Sequence, residues 1–313
     1  VNSNKSRQKQ EPMKILITGA SGFVGSQLVQ RLSEQHQLTL LSRHPEKAAS
    51  RLGANHHYLS NLEGLANLDS FDAVVNLAGE PIAGKRWSDA QKQAICQSRW
   101  QITAQLSALV NASSNPPHSF ISASAVGYYG TQSAQHIDEN FKLSSKNENE
   151  FTHKVCANWE HEALQAKSDA TRVCIIRIGL VLGAKGGALA KMLPAFKLGL
   201  GGPIASGQQG MSWIHETDLI RLIEYMLNND HCSGVYNGCA PNPVSNKAFT
   251  QALGRALTRP ACIPAPAFGL KLALGEMSTL LIDGQYVVPQ KALNDGFEFR
   301  YSFIDEALHE ILN

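Results

Sequence analysis

The stretch Thr18-Gly19-Ala20-Ser21-Gly22-Phe23-Val24-Gly25 decides how the chain is read. It follows a short apolar run, Lys14 to Thr18, and opens a segment that places Leu28 and Leu32 on one helical face. Three spaced glycines carry weight only in this context, a strand before them and a helix after. Gly19 permits the tight turn, Gly22 lets backbone amides approach a pyrophosphate, and Gly25 lets the helix pack closely on the sheet. Ser21, Phe23 and Val24 fill the loop between them, and the helix N-terminus offers the positive end of its dipole to an anion. The stretch therefore predicts the first βα turn of a dinucleotide-binding domain.

Further along, short β-rich runs alternate with longer stretches of helical period, the pattern of βαβ units and a parallel sheet. The predicted strands are Lys14 to Thr18, Leu38 to Ser42, Ala73 to Leu77, Ser119 to Ser122 and Arg172 to Arg177. Helical segments are predicted over Val24 to Gln35, Asp89 to Val110 and about Glu150 to Lys167. The fold class that follows is α/β, a doubly wound parallel sheet of the Rossmann type with a second, smaller C-terminal substrate domain. The change of texture after Arg177, with the Gly-rich stretch Gly199 to Gly210 and Pro-rich pieces around Pro260 to Pro266, marks that smaller unit. We expect residues 13–180 and about 211–240 in the nucleotide-binding domain, and about 181–210 and 241–313 in the cap. Residues 1–12, VNSNKSRQKQEP, are polar and are read as a disordered tail.

An NAD-selective site places Asp or Glu at the end of the second strand to hold the ribose 2′-hydroxyl. Here Ser42-Arg43 stands at that place, with His44 and Lys47 nearby. A hydroxyl and a bidentate, permanently charged guanidinium suit a 2′-phosphate, so NADP is the predicted cofactor.

The 313 residues, 43% of them apolar, are enough to bury a large core. A net charge of +2 with 17% charged residues and no basic block excludes nucleic acid as the expected partner. The longest apolar runs, such as Val173 to Ile176 and Gly269 to Leu274, are far short of a bilayer span, so no membrane partner is expected. Six scattered cysteines without a CxxC pair read as reduced thiols, with no metal site, and a cytoplasmic location is expected. The expected partner is a small-molecule substrate, and the assembly a monomer or homodimer.

Asn76-Leu77-Ala78-Gly79 and Ser122-Ala123-Ser124-Ala125-Val126-Gly127-Tyr128-Tyr129-Gly130 resemble the short-chain dehydrogenase pattern. NLAGEPIAGKRW, SAVGYYG, RIGLVLG, LPAFKLGLGGPIASG, SWIHETDL, VYNGCAPNPVSN and VVPQKALNDGFEF together resemble one family along almost the whole chain from Met13. It is the atypical epimerase family of NADP-binding proteins with a C-terminal domain of unknown function, whose members are sometimes called nucleoside-diphosphate-sugar epimerases or cell-division inhibitors. The resemblance implies that Leu77 and Ala78 line the adenosine and ribose side of the cofactor groove. It also implies that Arg99 reaches toward cofactor or substrate, that Val181 closes on the nicotinamide end, and that Ser124 matches the Ser that hydrogen-bonds a substrate carbonyl.

Enzymes of the larger superfamily use a Tyr with a Lys four residues later, on one helix face, as the acid/base pair. In extended members a Glu commonly follows the Lys by four. If Glu160 marks that Glu, the Lys position is Cys156 and the Tyr position Thr152. Thr cannot ionise near neutral pH and a thiol does not carry lysine's charge, so the usual dyad is absent. Tyr128 or Tyr129 is left as proton donor beside Ser124, with His153 and Lys154 able to perturb a neighbouring phenol. The loop Glu80 to Trp87 and the segment Trp213-Ile214-His215 combine aromatic and charged groups suited to a substrate mouth, with His215 read as a structural hydrogen-bonding histidine rather than a catalyst, and Asp218 as a helix cap. The expected function is an NADP(H)-dependent oxidoreductase or epimerase-like activity on a small carbonyl or nucleotide-sugar-like compound. The alternative is a non-catalytic NADP-sensing regulatory protein.

Overall fold

A computed structural model describes residues 11–313, so the first ten residues of the expected tail lie outside the described ones. Seven strands form one parallel sheet. In chain order they are β1 (Lys14–Thr18), β2 (Gln37–Leu41), β3 (His57–Leu59), β4 (Ala73–Asn76), β5 (Ser119–Ala125) and the strands Arg172–Ile178 and Gly234–Gly238. From one edge to the other the order is Gly234–Gly238, Arg172–Ile178, β5, β4, β1, β2, β3. The chain goes outward from β1 through β2 to β3, then returns to place β4 on the other side of β1. That reversal is the topological switch point at which open α/β sheets bind ligands.

Alternation along the strands explains the layering. Ile15, Ile17, Ala73, Val75 and Ile121 face one side, with α1 (Phe23–Leu32) and the helix Glu216–Asn228 covering them. Leu16, Val74 and Phe120 face the other, under α3 (Asp89–Asn111) and the helix Phe151–Leu164. A strand buried on both faces reads as continuously apolar, which is why these runs were legible. The helix α2 (Pro45–Leu52) packs at the β2–β3 edge.

β3 has only three residues and the strand Gly234–Gly238 contains two glycines and an asparagine, so neither carried a clear strand signal. A separate core joins Leu182, Leu189, Phe196, Trp213, Phe249, Leu253, Ile304 and Leu308. Ala292 and Phe297, expected in the smaller unit, are buried in the core of the sheet instead. Among the described residues no helix is long and apolar enough to cross a membrane. All six cysteines are free, and only Cys262 is exposed.

Candidate active site and nucleotide cradle

The β1–α1 loop and the segment after β4 meet at the switch point. Gly19 has φ +70°, where an L side chain is strained, and a Cβ there would lie 2.4 Å from the Leu77 carbonyl oxygen. The Leu77 amide donates to the Thr18 carbonyl at 3.2 Å and the Ala78 amide to Thr18 Oγ1 at 3.3 Å. Thr18 Oγ1 in turn donates to Asn76 Oδ1 at 2.6 Å, and Asn76 Nδ2 donates to Thr103 at 2.8 Å. This fully buried polar cluster fixes the two walls of the groove to each other. Asn76 opens the Asn76-Leu77-Ala78-Gly79 pattern but without this role, and no motif marks Thr103; the available signal is polar residues inside otherwise apolar elements.

Ser21 and Gly22 are exposed at the mouth of the loop, while Gly25 is buried. A Cβ at Gly25 would come 2.2 Å from the Gly19 carbonyl oxygen. α1 starts with no side-chain cap and no acidic residue in its first turn, leaving amides for an anion. The cradle therefore fits a dinucleotide pyrophosphate. Two substitutions separate its roles. Gly22 has an ordinary φ of −74° and its Cβ would lie 3.1 Å from Gly19 O, so Gly22→Val is expected to fold yet lose nucleotide binding. Gly25→Ala is expected to push α1 off the sheet and cost about 1–3 kcal/mol. Circular dichroism, denaturant unfolding and nucleotide titration check both.

Phe23 leans on a second glycine loop: Cβ atoms at Gly183, Gly186 or Gly187 would each come within 3.2 Å of its ring. Val181 stands just before that loop, half-buried and paired with Ile214 between the short strands Leu180–Leu182 and Trp213–His215. Arg43 is exposed beyond β2, and Ser42 Oγ accepts from the His44 amide at 3.2 Å. Arg99 is held by backbone carbonyls behind the Leu77–Gly79 segment. Its guanidinium donates to the carbonyls of Ile95 and Glu80, each at 2.9 Å, and lies 5.2 Å from the Trp159 ring. Burial lowers its pKa from the ordinary value, and it backs the Gly79 wall where a Cβ would meet it at 3.0 Å.

Beyond β5 the chain makes a 3₁₀ turn, Val126–Tyr129, beneath the helix Phe151–Leu164. A Cβ at Gly127 would lie 3.2 Å from Thr152 Cβ and 3.8 Å from Cys156 Sγ, so both dyad positions face this turn. Cys156 is buried, and burial, together with Glu160, pushes its thiol up to about 12. It stays neutral at physiological pH and cannot act as the lysine.

Ser124 and Arg177 are cross-strand partners aimed at the same helix. Arg177 donates through Nε and Nη2 to the two oxygens of Glu160, both at 2.8 Å, and Ser124 Oγ donates to Glu160 Oε1 at 2.7 Å. Burial alone would lower the pKa of Arg177, but hydrogen bonds and charge from Glu160 raise it above its ordinary value. Ser124, expected to meet a substrate carbonyl, is 2% exposed and committed to this carboxylate. Tyr129 is fully buried. Its hydroxyl donates to Asn237 at 2.8 Å and accepts from Arg177 at 3.0 Å, and burial pushes its phenol up to about 12. Such a group is closed to a ligand. Tyr128 differs: it is half-buried, with the Arg177 guanidinium 3.3 Å from its ring centre and the His153 ring 4.9 Å away. His153, buried rather than solvated, meets the Tyr128 carbonyl at 2.6 Å, whereas Lys154 is exposed.

Two expectations are corrected. Trp213 and Ile214 are fully buried core residues, and His215, 1% exposed, bonds Glu310 at 2.8 Å and caps its helix through Thr217 N. Burial outweighs Glu310 and lowers the His215 pKa, so this contact is a neutral hydrogen bond that docks the C-terminal helix. Asp218 is not the cap; it accepts the Arg300 and Tyr301 amides. In the loop Glu80 to Trp87 the Glu80 amide donates to Ser98, the Ala83 carbonyl accepts from Lys191, and Trp87 packs on Phe151 and Met277.

Known proteins are similar to this chain in sequence and fold. Residues 15–238 match the NAD dependent epimerase/dehydratase family, and residues 265–311 match a domain of unknown function, DUF1731. The chain is 43% identical to the chloroplastic epimerase family protein SDR39U1 homolog of Arabidopsis thaliana, over 98% of this chain and 89% of that one. The crystal structure of human epimerase family protein SDR39U1 with NADPH superposes with a TM-score of 0.87 at 34% identity, covering 96% of this chain and 99% of that one. A nucleoside-diphosphate sugar epimerase from Corynebacterium glutamicum superposes at 0.74 with 30% identity, covering 96% of this chain and 58% of that one. With its Gly-loop cradle at the switch point and these relatives along nearly its whole length, the chain belongs to the NAD dependent epimerase/dehydratase family.

Proposed function

We propose that the protein is an NADP(H)-dependent oxidoreductase or epimerase-like enzyme acting on a small carbonyl or nucleotide-sugar-like compound. The observation that carries this is Ser42-Arg43, in place of an acidic residue, beyond β2 and beside a glycine cradle shaped for a pyrophosphate. The human relative in complex with NADPH supports it. Gly19, Ser21, Gly22, Phe23, Val24 and Gly25 hold the phosphates, and Ser42 and Arg43 the 2′-phosphate. Leu77, Ala78 and Val181 line the groove, and Arg99 supports its Gly79 wall. The nicotinamide, when bound, supplies hydride chemistry. Tyr128, at the end of β5, gives or takes the proton on the substrate oxygen. Ser124 holds Glu160, which keeps Arg177 under the Tyr128 ring. The smaller unit closes the substrate side, and a cytoplasmic location belongs to the same reading.

Thr152 and Cys156 at the dyad positions favour one other reading, an NADP(H) sensor without turnover. Incubation with NADPH deuterated at C4 and a panel of aldehydes, ketones and nucleotide sugars separates the two. Stereospecific deuterium transfer to one of these compounds is expected. Tight NADPH binding with no transfer to any of them would favour the sensor.

A further inference from the structure

On the opposite side of the sheet from the cofactor cradle lies a cluster that the proposed activity does not use. His231 and Cys232 form the turn that precedes the strand Gly234–Gly238, whose first residue pairs with Cys174 near the start of its neighbour. This turn is therefore at the N-terminal edge of the parallel sheet, whereas the cradle sits at the C-terminal end of β1. Asp295 reaches the same place from the end of the helix Gln290–Asn294. One ligand atom from each of His231, Cys232 and Asp295 lies within 4.8 Å of the others.

We propose that these three side chains form a binding site for a thiophilic divalent transition metal, zinc by class, that fastens the C-terminal segment to the edge of the sheet. An imidazole, a thiolate and a carboxylate are a borderline-soft donor set, suited to zinc and its neighbours and unsuited to calcium or magnesium. Tetrahedral coordination at ordinary zinc distances needs ligand atoms about 3.5 Å apart, so the cluster must close by about 1 Å. His231 is exposed on a turn and can move; Cys232 is buried and Asp295 half-buried, which fixes the other two.

The surroundings resemble an outer shell. The Tyr236 hydroxyl donates to Asp295 Oδ2 at 2.6 Å, while the Tyr225 hydroxyl donates to the Asp295 carbonyl and lies 3.4 Å from His231 Nε2. Such hydrogen bonds orient ligands and are a regular part of metal sites. Two cations border the cluster. Lys291 Nζ is 3.5 Å from Asp295 Oδ2 and is 35% exposed, so it can swing out as the metal replaces it. Arg172 donates to the Cys232 carbonyl at 3.3 Å and is 3.7 Å from the exposed Asp230. Binding releases the Cys232 thiol proton to solvent as the sulfur–metal bond forms. Asp295 is far in sequence from the adjacent pair His231 and Cys232, so no CxxC-type spacing announces the site.

The test uses the full chain, stripped with chelator, in a Cys262→Ser background that removes the exposed thiol. Cobalt(II) serves as an optical probe and zinc as the competitor. One equivalent of cobalt is expected to produce a thiolate-to-cobalt charge-transfer band that zinc abolishes, and zinc is expected to raise the thermal midpoint. Cys232→Ser should remove the band. His231→Ala, on an exposed turn, should keep the fold and weaken zinc by more than the roughly 10–100-fold that loss of an outer-shell partner costs. Absence of the band, or unchanged zinc affinity in His231→Ala, would overturn the site. Neither result depends on nucleotide or turnover.

Discussion

Replacing Tyr128 with phenylalanine is expected to cut hydride-transfer turnover by about 10²–10⁴-fold, the usual contribution of a positioned general acid or base, while NADPH affinity stays near the parental value. Of the two phenols at the end of β5, Tyr129 is fully buried with its hydroxyl held between Asn237 and Arg177, whereas Tyr128 is half-buried at the turn faced by both dyad positions. The Arg177 guanidinium, 3.3 Å from the Tyr128 ring centre, covers one face of that ring. Tyr129→Phe is the control: it strips a hydrogen bond from Asn237 and Arg177, costs about 1–3 kcal/mol of stability, and leaves turnover largely intact. Deuterium transfer from labelled NADPH, measured with both variants, reads the difference. Parental rates in Tyr128→Phe would mean that the proton comes from elsewhere.

Breaking the buried Glu160–Arg177 pair should have the largest effect on stability. Their side chains are 7% and 6% exposed, and the pair is bidentate, so each charge depends on the other for its solvation. Glu160→Gln or Arg177→Met alone is expected to cost about 3–5 kcal/mol, because one charge or a set of donors is left buried without its partner. The double variant should lose much less than the sum, since no uncompensated charge remains. Denaturant unfolding followed by both fluorescence and circular dichroism gives the cycle. Additive losses would show that the two residues act independently, contrary to the geometry.

What could be read in the chain beforehand was what local rules control. The strand, glycine loop and helix from Lys14 to Leu32 obey neighbouring-residue constraints, and Ser42-Arg43 follows at a set distance. Strands buried on both faces were apolar enough to stand out, whereas β3 was too short and Gly234–Gly238 too polar. The polar core was hidden because Ser124, Glu160 and Arg177 come from three separate elements. Only a charged residue inside the apolar run Arg172–Ile178 hinted at it. His215 is the structural hydrogen-bonding histidine expected from the sequence, but Trp213 and Ile214 misled because an aromatic near a histidine suits a ligand mouth and a buried helix start equally. Composition does not say which face a three-residue strand presents, and here it is the core.

The claim that the cradle holds a nucleotide with a 2′-phosphate is tested most directly by titrating NADPH and NADH into the parent and Arg43→Ala by calorimetry. Charge-assisted hydrogen bonds of this kind contribute about 1.5–3 kcal/mol, so NADPH should bind the parent roughly 10–150-fold more tightly than NADH. Arg43→Ala should remove most of that preference by weakening NADPH alone. Equal affinities of the parent for the two nucleotides would contradict the account.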